Sequence, residues 1–338
     1  MRLIGAMMNE RIPRMSDNVN NKPEKIIKGR YVIGNPAGTF EEKPRIAYQP
    51  GKILHRSDWI ADISRICDVL VIGASLRGAM HYGLSTVRQD SFAIGTTESE
   101  EESHTKWIIA VISDGVSSAT QSHTFSDYMV RQTVIAVGDE LTACNLESLY
   151  DFEWIKFARR LVDISIEFCR NAARRTVSEE KTVEASMLSQ RDISKKWAAT
   201  LEFAVIQISS GASNNMREFV HVTVAGDGAA YVLNKKQGWR TVKSGKSQSG
   251  TVASNAVFTL PFEPYEIFVK QGYLEKNDSL ILVTDGLGDF IGDGNTPLGD
   301  FFKRKLPKCE NLATFLQIVD VSLYQADDDR TLIMVKGV

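Results

Sequence analysis

Two unbroken apolar runs, Trp107-Ile108-Ile109-Ala110-Val111-Ile112 and Leu280-Ile281-Leu282-Val283, set the strongest limit on how this chain can fold. Each is short, aliphatic and bounded by turn-forming residues, so each reads as a strand covered on both faces. Each also ends in a carboxylate, in Ser113-Asp114-Gly115 and Thr284-Asp285-Gly286. A charge at the lip of a core strand is costly unless it is paired or binds a cation. The two strands therefore read as walls of one acidic site, and the rest of the chain as the scaffold that joins them.

That scaffold mixes strands and helices without regular alternation. Val69 to Ser75 and Ser91 to Gly95 read as strands, and Thr200 to Ile208 alternates with period two. Phe219 to Ala225 and Ala229 to Leu233 read as a hairpin around Gly226-Asp227-Gly228. Apolar residues at helical spacing run from Phe125 to Gly138 and across Asp151 to Arg174. Glu310 to Tyr324 reads as a last helix and Thr331 to Val335 as a last strand. Asn234 to Asn255, rich in Lys, Ser and Gly, reads as a long mobile connection. Strands, two adjacent helices, then more strands argue for a mostly antiparallel α+β domain with helices on the sheet faces. The domain is placed at residues 66–338. Residues 1–65, broken by Pro36, Pro44 and Pro50, read as a flexible or draping arm. No motif lies in residues 1 to about 60, so that stretch is expected to be dispensable for catalysis.

A formal charge of −2 over 338 residues gives no bulk attraction to nucleic acid or an anionic membrane. No apolar run approaches the ~20 residues needed to span a bilayer. The four cysteines are widely spaced, with no metal-binding or redox pattern. The simplest expectation is a soluble cytoplasmic protein.

Carboxylates recur at strand ends: Asp90, Asp114, Asp285 with Asp289, and the run Asp327-Asp328-Asp329, with Asp227 between two glycines. Each alone is a common turn residue. Together, with almost no His and no Cys pair, they form an oxygen donor set suited to Mg²⁺ or Mn²⁺ rather than zinc.

These segments, in this order, resemble the metal-dependent serine/threonine protein phosphatases of the type-2C family, especially its divergent bacterial branch. Arg88-Gln89-Asp90-Ser91-Phe92 resembles the first acidic motif, and Ser113-Asp114-Gly115-Val116-Ser117-Ser118-Ala119 the Asp-Gly motif. Trp197-Ala198-Ala199-Thr200 stands where a small-residue/Thr motif precedes a core strand, and Gly226-Asp227-Gly228 is similar to the family's Gly-Asp-Ser. Asp285-Gly286-Leu287-Gly288-Asp289 and Asp328-Asp329-Arg330-Thr331 resemble the two closing motifs. The resemblance covers about residues 70–336.

The resemblance implies a sandwich of two central antiparallel sheets flanked by helices, with a two-metal site at one end. It implies that Asp114 bridges both ions, with the Gly115 carbonyl as a further ligand, and that Asp90, Asp285 and Asp328 belong to the same site. Asp227 and Asp289 match positions that hold a third, weaker ion in some bacterial members. Asn234 to Asn255 falls where the family carries its substrate-facing flap. Three positions depart from the pattern: Gln89 where many members have Glu, Val116 where a His often follows Asp-Gly, and Ser85 where a phosphate-binding Arg is expected. Arg77 or Arg88 would then take the phosphate, and His81 would stand in as acid. The implied activity is hydrolysis of phosphoserine or phosphothreonine in proteins by a metal-activated water, with a Ser/Thr kinase as the opposing partner. The alternative is a catalytically weak pseudophosphatase that binds a phosphoprotein or regulates a kinase. A haloacid-dehalogenase-type mechanism, suggested by Asp114-Gly115 and Gly292-Asp293-Gly294-Asn295, needs a nucleophile two residues before Asp114, where Ile112 stands.

Overall fold

Trp107 to Ile112 lies at the middle of the molecule because alternate side chains serve two different cores. Ile108, Ala110 and Ile112 enter the core between two sheets, and Trp107, Ile109 and Val111 enter the layer between sheet and helices. The computed structural model describes residues 25–27, 30–33, 56–97, 106–144, 146–177, 190–208, 216–245, 258–262, 264, 266–323 and 326–337. The elements, in order, are β1 (Lys25–Ile27), β2 (Arg30–Ile33), β3 (Trp59–Ile66), β4 (Val69–Leu76), α1 (Ala79–Leu84), β5 (Ser91–Thr96) and β6 (Lys106–Ser113). There follow α2 (Ser122–Cys144), α3 (Trp154–Val177), α4 (Gln190–Lys196), β7 (Leu201–Ile208), β8 (Met216–Ala225), β9 (Ala229–Asn234) and β10 (Gly238–Lys243). The chain ends with β11 (Phe268–Glu275), β12 (Asp278–Val283), α5 (Asp285–Ile291), α6 (Pro297–Lys305), α7 (Leu312–Val319), β13 (Ser322–Leu323) and β14 (Arg330–Gly337).

One sheet has the order β10-β9-β12-β14-β4-β3 and the other β11-β8-β7-β6-β5, with antiparallel pairs throughout both. Their inner faces meet through Val69, Val71, Ala204, Ile206, Leu280, Leu282 and Ile333. Helices α2 and α3 cover the outside of the five-stranded sheet with Phe125, Met129, Phe157 and Leu161. Leu287, Phe301, Phe302 and Phe315 of α5, α6 and α7 cover the outside of the other. This is the expected α+β sandwich, and its strands are apolar on both faces because both faces are buried. A small third sheet, β1-β2-β13, lies beside it, with β13 parallel to β2.

Three expectations need correction. Residues 219–225 and 229–233 form no hairpin: β8 pairs with β7 and β11, and β9 with β10 and β12. Gly226-Asp227-Gly228 instead carries the chain from one sheet to the other. A short Gly-rich link satisfies the hairpin rule and the crossover equally well. Second, the 234–255 stretch holds an ordered strand, β10, paired with β9; residues 246–257 lie outside the described residues. Third, the described body reaches back past residue 66. Edge strand β3 pairs with β4 along its whole length, and β1 and β2 also fall inside the supposed arm. β3 alternates only weakly, with Trp59, Asp62 and Arg65 exposed, and so gives little periodic signal.

Candidate metal centre

The strands that carry acidic motifs all end at one edge of the sandwich. Ser91, the first residue of β5, pairs with Ser113, the last of β6. In the other sheet Val283, the last residue of β12, pairs with Leu332, and Arg330 at the start of β14 pairs with Leu76. Asp90, Asp114, Asp285 and the pair Asp328-Asp329 therefore leave adjacent strand ends.

Asp90 is where the sheets are tied together. Its Oδ2 accepts the hydroxyls of Thr284 and Thr331, each at 2.7 Å, from β12's end and β14 of the opposite sheet. Asp114 projects from β6 towards it, and its backbone is locked by Thr200. The Asp114 N–H donates to Thr200 Oγ1 at 2.8 Å, and the Thr200 N–H returns a bond to the Asp114 carbonyl at 2.8 Å. Gly115 is pressed against Gln89 and Ser122, where a Cβ would lie 2.9 Å from the Gln89 carbonyl oxygen. The same closeness holds at Gly286, where a Cβ would come within 2.0 Å of the Asp329 carbonyl oxygen. Only glycine lets α5 start so near the Asp328-Asp329 turn.

Crowding changes the acidity of these groups. Burial, reinforced by the charge of Asp329, pushes Asp90 up to about 7. Burial, then the charges of Asp90, Asp285 and Asp328, pushes Asp114 well above the usual carboxylate range. Asp328 is raised by burial and by the neighbouring Asp329. Like charges packed this closely resist ionisation unless a cation enters.

Asp329 behaves in the opposite way. It is buried in a cradle of donors: the N–H groups of Gly78 at 2.7 Å, Gln89 at 2.5 Å and Asp90 at 3.2 Å, and His81 Nδ1 at 2.8 Å. Burial works to raise its proton affinity, but His81 and the backbone donors outweigh it and the net shift is down. The same pair raises His81: burial opposes the imidazolium, and the bond to Asp329 prevails. His81, Asp328 and Asp329 do offer ligand atoms within 4.8 Å of one another. His81 Nδ1 and Asp329 are already hydrogen-bonded, however, so their proximity reads as an ion pair that fixes the Gln89-Asp90 backbone. The acidic run in the sequence did not reveal that Asp329 and Asp328 have different surroundings.

Asp227 is buried in the crossover, and Asp289 is exposed on α5, one turn after Asp285. They converge at the end of β10: a Cβ on Gly245 would lie 3.0 Å from the Asp227 carbonyl and 3.5 Å from Asp289 Oδ1. Arg77 and Arg88 differ from expectation. Both are buried. Arg77 donates to Asp58 Oδ1 at 3.1 Å and to the His81 carbonyl at 2.9 Å, stacked over Tyr82. Arg88 donates to Ser75 Oγ at 2.9 Å, to the Asp90 carbonyl and to the Ser57 carbonyl. Neither presents a free fork to a phosphate; both brace the acidic loop.

The donor set fits a hard divalent cation. It is all oxygen, burial and neighbouring carboxylates raise the proton affinity of Asp90, Asp114 and Asp328, and Gln89 adds a buried Oε1 with no hydrogen-bond partner among the described residues.

The protein phosphatase 2C family model matches residues 77–320, and the chain belongs to that family of protein serine/threonine phosphatases. No curated protein matches the chain in sequence. Among solved structures, a phosphatase from a pathogenic strain of Toxoplasma gondii aligns with TM-score 0.52 at 11% identity, over 82% of this chain and 95% of that one. Serine/threonine phosphatase Stp1 from Staphylococcus aureus aligns with TM-score 0.49 at 14% identity, over 86% and 99%. The catalytic domain of serine threonine protein phosphatase PstP in complex with 2 manganese ions aligns with TM-score 0.45 at 14% identity, over 79% and 97%. Among the described residues no helix is long and apolar enough to cross a membrane.

Proposed function

We propose that the chain hydrolyses phosphoserine or phosphothreonine in proteins with the help of Mn²⁺ or Mg²⁺. Asp90, Asp114, Asp285 and Asp328 are the proposed ligands, with the Gly115 carbonyl. Asp227 and Asp289 would serve a further ion. The observation that carries this reading is the shared edge at which Asp90 and Asp114 meet, both raised by burial and by neighbouring carboxylates, Asp90 by Asp329 and Asp114 by Asp90, Asp285 and Asp328. A pair of divalent ions, when bound, supplies an activated water and neutralises the phosphoryl oxygens. The protein's own part is positioning, which dominates in phosphoryl transfer. Thr284 and Thr331 orient Asp90, Thr200 holds the Asp114 backbone, and Asp329 holds the Gln89-Asp90 turn.

The second reading, a pseudophosphatase, is favoured by Val116, Ser85 and Gln89, and by the burial of Arg77 and Arg88 away from a phosphate. Hydrolysis of a phosphopeptide and of p-nitrophenyl phosphate, with Mn²⁺ and after exhaustive EDTA, separates the two. Metal-dependent turnover supports the enzyme. Binding of phosphopeptide and Mn²⁺ without turnover supports the pseudophosphatase, and turnover that survives EDTA removes the metal reading altogether.

A further inference from the structure

Residues 56–58 precede the stretch matched by the family model, yet all three bond to the acidic corner. The Arg56 guanidinium donates to the His123 carbonyl at 2.8 Å, to the Asp90 carbonyl at 3.0 Å and to Ser91 Oγ at 2.5 Å. The Ser57 carbonyl accepts Arg88 Nε at 3.3 Å. Asp58 takes Arg77 twice, through its carbonyl at 2.7 Å and its carboxylate at 3.1 Å. Arg88 in turn reaches the same Asp90 carbonyl as Arg56.

Holding β3 against the body does not require this. The β3 ladder to β4 already runs from Trp59 opposite Leu76 to Ile66 opposite Val69. The Arg56 fork instead ties three points of the acidic loop and α2: the backbone of Asp90, the side chain of Ser91 and the first turn of the helix. A planar guanidinium suits such a task because its donors leave in fixed directions. Asp90 is then held from three sides. Arg56 and Arg88 hold its carbonyl, Asp329 holds its N–H, and Thr284 and Thr331 hold its carboxylate.

We propose that Arg56, with Ser57 and Asp58, is a clamp that positions Asp90, so that the segment before the family core is part of the active site. The functional consequence rests on the reading of Asp90 as a metal ligand. Arg56 is a positioning residue; it reaches the reacting groups only through Asp90.

The test uses the full chain, its Arg56→Met and Arg56→Lys variants, amide hydrogen exchange and calorimetric titration with Mn²⁺. In Arg56→Met, exchange at Gln89 to Phe92 should rise about tenfold while the core strands stay protected. Mn²⁺ affinity should fall by about tenfold, the range seen for partners that orient metal ligands. The direction is diagnostic, because deleting a positive charge near a cation site would by itself tighten binding. Tighter or unchanged Mn²⁺ binding, or unchanged exchange at Gln89 to Phe92, overturns the clamp. Should Arg56→Met fail to fold, Arg56→Lys decides. It keeps the charge but not the fork, so both readouts should move the same way by a few-fold; parent-like values in both overturn the proposal. A parent protein that binds no Mn²⁺ defeats the functional reading, and exchange at Gln89 to Phe92 then decides the clamp alone.

Discussion

Glu202 and Asp90 are both fully buried carboxylates near the same end of the sandwich, and they are treated in opposite ways. Glu202 lies on β7 opposite Ile112 of β6, with its side chain in the space between the sheets, where a Cβ on Gly228 would come within 2.8 Å of it. Lys243 Nζ reaches it at 2.8 Å, Thr223 Oγ1 donates to it at 3.2 Å, and His221 Nε2 lies 3.2 Å away. Burial works to raise Glu202, but the Lys243 charge and the His221 contact prevail and hold it down at about 2. The Asp90 carboxylate meets the hydroxyls of Thr284 and Thr331 and the side chain of Asp114, and burial with the charge of Asp329 pushes it up to about 7. Where the fold supplies a cation, the carboxylate is a fixed structural anion. At Asp90 the cations of Arg56 and Arg88 stop at the backbone carbonyl, while the carboxylate itself meets hydroxyls and further carboxylates, so its charge is poorly matched.

The largest effect should come from breaking that vacancy of charge. Asp114→Asn should lower phosphopeptide hydrolysis by roughly 10³-fold or more, ~4 kcal/mol of transition-state stabilisation. In metal-free buffer the same change relieves repulsion with Asp90, Asp285 and Asp328, so denaturant unfolding should show equal or greater stability. A rate equal to the parent's would assign Asp114 to turn formation. A marked loss of metal-free stability would mean that its charge is compensated after all.

The Glu202 cluster should respond with the reverse sign. Lys243 also donates to the carbonyls on either side of Asp227, Gly226 at 3.3 Å and Gly228 at 2.6 Å. Lys243→Met strands a buried carboxylate and should cost about 3–4 kcal/mol in urea unfolding. Adding Glu202→Gln should restore most of it. If the double variant is no more stable than the single, the lysine matters for the crossover carbonyls rather than for Glu202.

Acid offers a smaller version of the same contrast. Because the folded value of Glu202 is depressed from 4.5 to about 2, its contribution is present above pH ~4.5 and is lost as pH falls through 2. Its full size is about 3 kcal/mol, of which roughly half should be gone near pH 3. Urea midpoints from pH 6 to pH 3 for the parent and Glu202→Gln should therefore converge. Parallel curves would show that Glu202 is not the group being titrated.

Much of this was legible in the sequence, for reasons that also explain what was not. The runs at Trp107 and Leu280 announce doubly covered strands, and an Asp at each end is a local feature that spacing can expose. The crossover at Asp227 has no signature of its own, because Gly-Asp-Gly permits several chain paths and only the pairing of β8 and β9 chooses between them. Glu202 looked like one polar step of an alternating strand. It shares its face with Ala204 and Ile206, which belong to the core between the sheets, and nothing nearby announces Lys243 as its partner. Asp328 and Asp329 are chemically identical neighbours, separated only by which backbone N–H groups come to meet them. Arg56 is 34 residues from Asp90 along the chain, and the segment around it has no periodicity, so the arm looked dispensable.

The smallest effect concerns Gln89, which tests whether the acidic corner still has room for one more charge. Its N–H donates to Asp329 Oδ2 at 2.5 Å and its carbonyl accepts from Ser126 Oγ at 2.5 Å, so its backbone is fixed. Its side-chain Oε1 is buried without a hydrogen-bond partner among the described residues. An amide oxygen can face a cation or accept from ordered water, but it adds no charge to offset the desolvation of a divalent ion. Gln89→Glu should lower the Mn²⁺ concentration for half-maximal binding by a few-fold, about 1 kcal/mol. It should also reduce metal-free stability by a similar amount, since a further carboxylate then crowds Asp90 and Asp114. The two shifts have one cause and opposite signs, so a Mn²⁺ titration and a metal-free urea curve on the same protein read both. A variant that needs the same or more Mn²⁺ would place the Gln89 side chain away from the ion and leave Asp90 alone to serve that corner.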